Sequence, residues 1–226
     1  SKFRAYLELL RLPNVFTAIA DVMMGYWFAL AVARGDDTGG NTEWESLILL
    51  VLSSSCFYLA GMVLNDYFDR NKDLQERPAR PIPSRRVPES TALWLGTQLL
   101  VLGIVLAATL SFIGHNLNTF LIAIALSVAV VAYDGVFKKN WLGPLGMGAC
   151  RALNVLMGMS VVEGTISIFS TSHLLIIGGI GIYIIGLTWF ARTEAERSSR
   201  FYLSLSLLVM GLGLGCLYSF PQFLPV

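Results

Sequence analysis

Apolar residues along this chain come in long unbroken runs separated by short polar stretches, a pattern of buried or lipid-facing helices and not the alternation of half-buried strands. A helix crossing a bilayer needs about 20 mostly apolar residues. Seven runs approach that length: Pro13–Ala33, Ser46–Leu64, Thr91–Ile113, Asn118–Tyr133, Pro144–Val162, Leu174–Phe190 and Phe201–Phe220. The fourth and sixth are short and draw on flanking residues. Pro13, Pro88 and Pro144 stand at expected helix entries, where a missing N–H costs nothing. The first run is long and no small-residue cleavage pattern follows it, so it reads as a span and not a cleavable signal. Ser1 at the start reads as a trimmed end or a tag remnant. The tail PQFLPV carries no soluble domain, so residues 1–226 read as one transmembrane helical domain.

Composition sharpens this picture. Of 226 residues 55% are hydrophobic and only 14% charged, with mean hydropathy +0.64; soluble domains carry about 25% charged residues. A net charge of +1 gives no basic footprint of a nucleic-acid binder. Cys56, Cys150 and Cys216 each lie in an apolar stretch without metal or redox spacing and read as small core residues.

The basic residues orient the spans. Of the 16 lysines and arginines, all but Arg34 and Arg151 fall on one side: Lys2, Arg4 and Arg11 before the first span, six in the loop after the second, Lys138 and Lys139 after the fourth, and Arg192, Arg197 and Arg200 after the sixth. By the positive-inside rule that side is cytoplasmic, with the N-terminus there and seven spans putting the C-terminus opposite, in an inner or plasma membrane. Three stretches on that face, 65–90, 133–143 and more weakly 191–200, are more than connectors. On the other face, His115 and His173 read as solvated loop histidines, and Gly213 and Gly215 in the seventh run read as helix-packing residues.

The second run ends in Asn65-Asp66-Tyr67-Phe68-Asp69-Arg70-Asn71-Lys72-Asp73. Aspartates at i, i+3 and i+7 fall within about 60° of one another on a 3.6-residue turn. Asn65, Asp69 and Asp73 form a second, overlapping stripe. Four oxygen-bearing side chains on one helix face repel unless a hard cation relieves them, and oxygen-only donors suit magnesium, which completes its shell with substrate phosphates. Pro78 should stop this helix near Arg77. Arg77 and Arg80 then stand where they could clamp phosphate oxygens. Acids for a metal followed closely by arginines for an anion form the pattern of a diphosphate site. The bland alternative is a solvated juxtamembrane loop whose charges pair with one another and whose arginines serve orientation alone.

At these residues the chain resembles the UbiA superfamily of intramembrane prenyltransferases. NDYFDRNKD followed by RPARPIPS looks like its first motif, NDxxDxxxD. Tyr133-Asp134-Gly135-Val136-Phe137-Lys138-Lys139 is similar to its tyrosine-to-lysine loop, and Gly146–Asn154 to its fifth helix. TAIAD in the first span and LGPLGMGACRALN most resemble the EboC-like branch. The resemblance implies an all-α bundle around a central cavity open to the cytoplasmic side. It implies Mg2+ held by Asp66, Asp69, Asp73 and Asn65 on an isoprenyl diphosphate, with Arg77, Lys138, Arg80 and Lys139 on the diphosphate. Ionisation of the allylic C–O bond and capture by a lipophilic, often aromatic, acceptor would follow, with Tyr58, Phe57 and Tyr133 offering π-faces to the cation or simply packing in the bundle. Two departures stand out. Where the family carries a second acidic motif, DxxxD, this chain has Arg192-Thr193-Glu194-Ala195-Glu196-Arg197. Its two glutamates, at i and i+2, do not face one another on a helix, which leaves Glu194 as the candidate for a second metal and puts turnover in question. The family has nine helices against the seven runs counted here, so either the last two lie outside this sequence or the protein is a shortened variant.

Asp21 lies about 12 Å into the first span at 1.5 Å per residue, where a charge is expensive and needs a partner. Arg151, with Asn154 on the same face, is the expected partner, either lining the cavity or joining two helices; Asp21→Asn is expected to damage activity more than folding. Three functions compete: a magnesium-dependent prenyltransferase, a non-catalytic isoprenoid carrier on the same fold, and a transporter with Asp21 and Arg151 as coupling charges. A transporter predicts internal repeats, and none is evident. The CDP-alcohol phosphotransferase string is absent.

Overall fold

The computed structural model describes residues 2–35, 43–114, 116–162, 170–195 and 199–224. The described residues form helices and short 3-10 turns, with no strand among them. A short amphipathic helix α1 (Lys2–Leu10) precedes α2 (Val15–Gly35), α3 (Trp44–Glu76), α4 (Glu89–Ile113), α5 (Asn118–Gly135), α6 (Gly143–Met159), α7 (Thr171–Ala195) and α8 (Arg200–Ser219). The seven expected spans correspond to α2 through α8. Six helical stretches are long and apolar enough to cross a membrane. The exception is α6, with 17 residues, which packs against α2, α5 and α7. This is a multi-pass integral membrane protein.

Helix lengths differ from the apolar runs for physical reasons. At 33 residues α3 is about 50 Å long, well beyond a hydrocarbon core of about 30 Å. Its acidic end therefore continues as helix past the apolar run ending at Leu64. It stops at Glu76, with Arg77 as cap, because Pro78 disfavours the helical conformation at the residue before it. Pro144 lies in the first turn of α6 and Pro88 caps α4. The entry at Pro13 falls in a 3-10 turn, Leu12–Asn14, just ahead of α2.

Neighbour contacts run α2–α3, α3–α4, α4–α5, α5–α6 and α6–α7–α8, and α2 also packs on α6. Helices α2, α3, α5 and α6 thus close a ring, with α4 outside it and the α7–α8 pair leaning on α6. The α2–α6 crossing is close: a Cβ at Gly158 would stand 2.9 Å from Tyr26 N. The α7–α8 crossing uses Gly213 in the same way, 2.7 Å from Gly179 O, whereas Gly215 faces open space. Of the two expected packing glycines, only Gly213 packs.

Two further expectations need correction. His173 is not a solvated loop histidine: it is 2% exposed on the first turn of α7, bonded to Ser170 and edge-on to Phe28. The start of α7 at Thr171, three residues earlier than the run suggested, draws it into the bundle. His115 lies outside the described residues. The three basic residues before the first span also proved to ride on a packed element. Ala5 and Leu9 of α1 are fully buried against Val63, Ile82, Val87 and Ala92, so α1 and the 77–88 segment form a small apolar cap beside the acidic end of α3.

Candidate active site

On the last turns of α3, Asp66 and Asp73 are 3% and 4% exposed. Asp66 accepts from Arg11 Nη2 at 2.5 Å, and Arg80 Nη1 bridges Asp66 (3.2 Å) and Asp73 (2.6 Å). On the neighbouring side Lys138 Nζ donates to Asn65 Oδ1 at 2.5 Å and to Asp69. Chain geometry supplies each cation. Arg11 caps α1 in a left-handed conformation, φ 47°, that a non-glycine side chain adopts only at some cost; Pro13 blocks further helix, and the turn aims the guanidinium at Asp66. Arg80 lies in the turn after Pro78, and Lys138 in the 3-10 turn Phe137–Lys139 after α5.

This arrangement pairs the acids with basic side chains. Among the described residues no three acidic, cysteine or histidine side chains stand ready around one metal point. The carboxylates share a helix end, but three basic side chains divide them into two sets, Asp66 with Asp73 and Asp69 with Asn65. The reason is like-charge repulsion: carboxylates this close need countercharge, and Arg11, Arg80 and Lys138 provide it. Each set converges oxygen donors on a single cationic nitrogen, and Asn65 Nδ2 links the two sets by donating to Asp66 Oδ1 at 3.4 Å; oxygen-only donors of this kind fit a hard divalent ion such as magnesium.

Two recesses are lined by neighbouring turns of this end of α3. A polar one of about 310 Å³ is lined by Glu8, Arg11, Asp66, Arg77 and Arg80. It unites the two predicted arginines with Arg11, which the sequence reading had assigned only to orientation. The other, about 320 Å³, runs among α2, α3, α5, α6 and α7 and is apolar, lined by Phe57, Tyr58, Gly61, Met62, Leu126 and Val130 among others. That volume lies within the roughly 300–1,000 Å³ of small-molecule sites. Gly61 stands five residues before Asp66, about 7 Å along the helix, so the apolar cavity begins just below the charged rim.

Tyr133, Arg151 and Asn154 line the apolar cavity. Arg151 Nε pairs with Asp21 Oδ2 at 2.8 Å, and its Nη1 donates to Thr17 at 3.2 Å. Asn154 donates to Ala18 O at 2.8 Å and accepts from Ser54 at 2.8 Å. The expected Asp21–Arg151 pair is therefore present, and it both joins α2 to α6 and edges the cavity. Lys139 and Glu194 are exposed, the latter on the last turn of α7; Glu196 and Arg197 lie outside the described residues. Asp134, to which the sequence pattern gives no role, is 3% exposed and lines the cavity.

A sequence profile of the UbiA prenyltransferase family matches residues 22–202. The chain belongs to the UbiA prenyltransferase family. Among relatives of this UbiA protein, digeranylgeranylglyceryl phosphate synthase of Sulfurisphaera tokodaii is 33% identical over 168 residues, covering 72% of this chain and 54% of the relative. The enzyme of the same name from Methanosarcina barkeri is 31% identical over 163 residues, covering 70% and 55%. The chain thus spans about half the length of the curated relatives it matches. A solved structure of digeranylgeranylglyceryl phosphate synthase superposes with TM-score 0.73 at 20% identity, covering 95% of this chain and 76% of that one. A UbiA homologue from Archaeoglobus fulgidus bound to DMAPP and Mg2+ superposes with TM-score 0.63 at 16% identity, covering 95% and 73%. These likenesses establish the all-helical UbiA fold.

Proposed function

We propose that this chain carries the donor half of a prenyl transfer: an isoprenyl diphosphate binds with its headgroup in the polar recess and its tail in the apolar cavity, and the prenyl group passes to a lipophilic acceptor in the membrane. The observation that carries this reading is the adjacency of the two recesses at the acidic end of α3, one walled by Arg11, Arg77, Arg80 and Asp66, the other by aliphatic and aromatic side chains.

Asp66 and Asp73, and Asp69 with Asn65, would hold magnesium; Glu194, the one carboxylate among the described residues of α7, is the candidate for a second ion. Bound magnesium supplies positive charge against the diphosphate as it leaves. Arg11, Arg77 and Arg80 meet the headgroup's anionic oxygens as charge-assisted donors, with Lys138 and Lys139 on the 133–143 side. Phe57, Tyr58 and Tyr133 offer aromatic faces to an allylic cation, and the apolar walls exclude water that would quench it. Arg151 and Asn154, held by Asp21, Thr17 and Ser54, mark the deep polar edge of the cavity and would contact substrate there. The clustering of basic residues beside this rim supports a cytoplasmic orientation, with the N-terminus inside. The relatives' name describes a product with two geranylgeranyl chains on glyceryl phosphate, which makes a prenylated glyceryl phosphate the first acceptor to try.

The replacement of a second DxxxD pattern by Glu194 and Glu196 favours a second reading, a carrier that binds isoprenyl diphosphates without turning them over. One experiment separates the two: purified protein, magnesium and labelled geranyl, farnesyl and geranylgeranyl diphosphates, with and without a membrane lipid extract. Transfer predicts diphosphate release and a prenylated lipid, both lost in Asp66→Ala. Binding without release supports the carrier and refutes the enzyme.

A further inference from the structure

Prenyl transfer to an acceptor that brings an O–H group releases a proton as well as diphosphate, and the proton must leave a water-poor cavity. The carboxylates that hold a cation do not suit that task. Asp66, Asp69 and Asp73 are each paired with a cation, and Asp21 is paired with Arg151. Asp134 differs. It sits on the last turn of α5, is 3% exposed, lines the apolar cavity, and its Oδ2 has no hydrogen-bond partner among the described residues. Lys138, one turn further on, gives its ammonium to Asn65 and Asp69 instead. Across the cavity wall stands Gly61 of α3, where a Cβ would come 3.9 Å from Oδ2. A buried carboxylate oxygen left without a donor is costly, and a carboxyl group that lines the cavity beside Tyr133 and holds no cation can relieve that cost by taking up a proton.

We infer that Asp134 is the proton acceptor of the transfer step when the hydroxyl-bearing acceptor named above is used. In that step the allylic C–O bond breaks and its electron pair leaves with the diphosphate. A lone pair of the acceptor oxygen forms the new C–O bond, and the O–H electron pair returns to that oxygen as the proton passes to the Asp134 carboxylate. This inference rests on the transfer reading above, which stands or falls by the diphosphate-release assay on the unaltered protein.

The test is a binding measurement that needs no turnover. N,N-dimethylgeranylamine, protonated at neutral pH, carries a cationic head beside a prenyl tail, and geraniol carries a neutral one. Their affinities are compared in the presence of inorganic diphosphate and magnesium, for the full chain and for Asp134→Asn, with monodispersity and the thermal midpoint checked for each. Asp134→Glu tests rescue. The expected result is at least about a tenfold preference for the ammonium over the alcohol (1.4 kcal/mol) that vanishes in Asp134→Asn and returns in part in Asp134→Glu. With geranyl diphosphate and a membrane lipid extract, the ratio of transferred product to bridge-oxygen isotope scrambling in the diphosphate should fall about 100-fold in Asp134→Asn, the scale of a general base. An ammonium preference that survives in Asp134→Asn overturns the inference. So does a variant whose defect is repaired by raising magnesium, which makes Asp134 a metal ligand. Ammonium preference without diphosphate release by the unaltered protein refutes the transfer reading and with it the base, leaving a cation-binding pocket.

Discussion

Asp21 and Arg151 give the sharpest quantitative handle on the bundle. Arg151 Nε lies 2.8 Å from Asp21 Oδ2, with side chains 20% and 9% exposed. At an effective dielectric of about 20 their gross attraction is 332/(20 × 2.8), about 6 kcal/mol. Desolvation of the two ions cancels most of this, so the intact pair is nearly neutral against an apolar pair, whereas removing one partner strands the other at a cost of about 3–5 kcal/mol. Arg151 keeps one bond to Thr17, which puts Asp21→Asn at the lower end. A loss of about 3 kcal/mol corresponds to a fall in thermal midpoint of about 6–12 °C for a chain of this size. The geometry thus adds a stability loss to the loss of activity expected for this substitution. The assay is a double-mutant cycle on detergent-solubilised protein: Asp21→Asn, Arg151→Gln, and both. The double variant should lose less than the sum of the two single losses by a coupling of about 2–3 kcal/mol. Additive losses, with coupling below about 0.5 kcal/mol, would refute the pair as a unit joining α2 to α6.

Other substitutions probe the crossings and the rim. Gly158→Val drives a side chain into the α2 backbone, 2.9 Å from Tyr26 N at its first carbon, and should cost about 3 kcal/mol or abolish folding; a detergent melt checks it. Gly215→Ala, facing open space, should stay within about 0.5 kcal/mol of the parent in the same melt. Lys138→Met removes the cation from Asn65 and Asp69 and should weaken binding of labelled geranyl diphosphate at least about tenfold, the scale of one lost charge-assisted contact; undiminished affinity would take Lys138 out of the headgroup site.

The helical bundle was legible because lipid forces backbone polar groups to be satisfied within each span, so apolar runs report helices directly. The end of α3 was legible from Pro78 alone. Pairing Asp21 with Arg151 followed from the cost of isolated charge in lipid, which leaves few candidates. What escaped the sequence depended on contacts between distant segments. Arg11 looked like an orienting charge because nothing local says that a left-handed cap turns it onto Asp66, 55 residues away. Ala5 and Leu9 gave too short a pattern to mark α1 as a packed helix. Asp134 drew no attention beside Tyr133 and Lys138 because an unpaired oxygen is a property of its surroundings. Separation of the α3 carboxylates into two sets required knowing where Arg80 and Lys138 land.

Magnesium-dependent binding of labelled geranyl diphosphate is the most direct test of the claim that the rim of α3 holds a diphosphate through metal. With magnesium the unaltered protein should bind the ligand, and chelation by EDTA should weaken binding by at least about tenfold, 1.4 kcal/mol. Asp66→Ala should show the weakened affinity even with magnesium present. Equal affinity with and without the metal, in both proteins, would contradict the account.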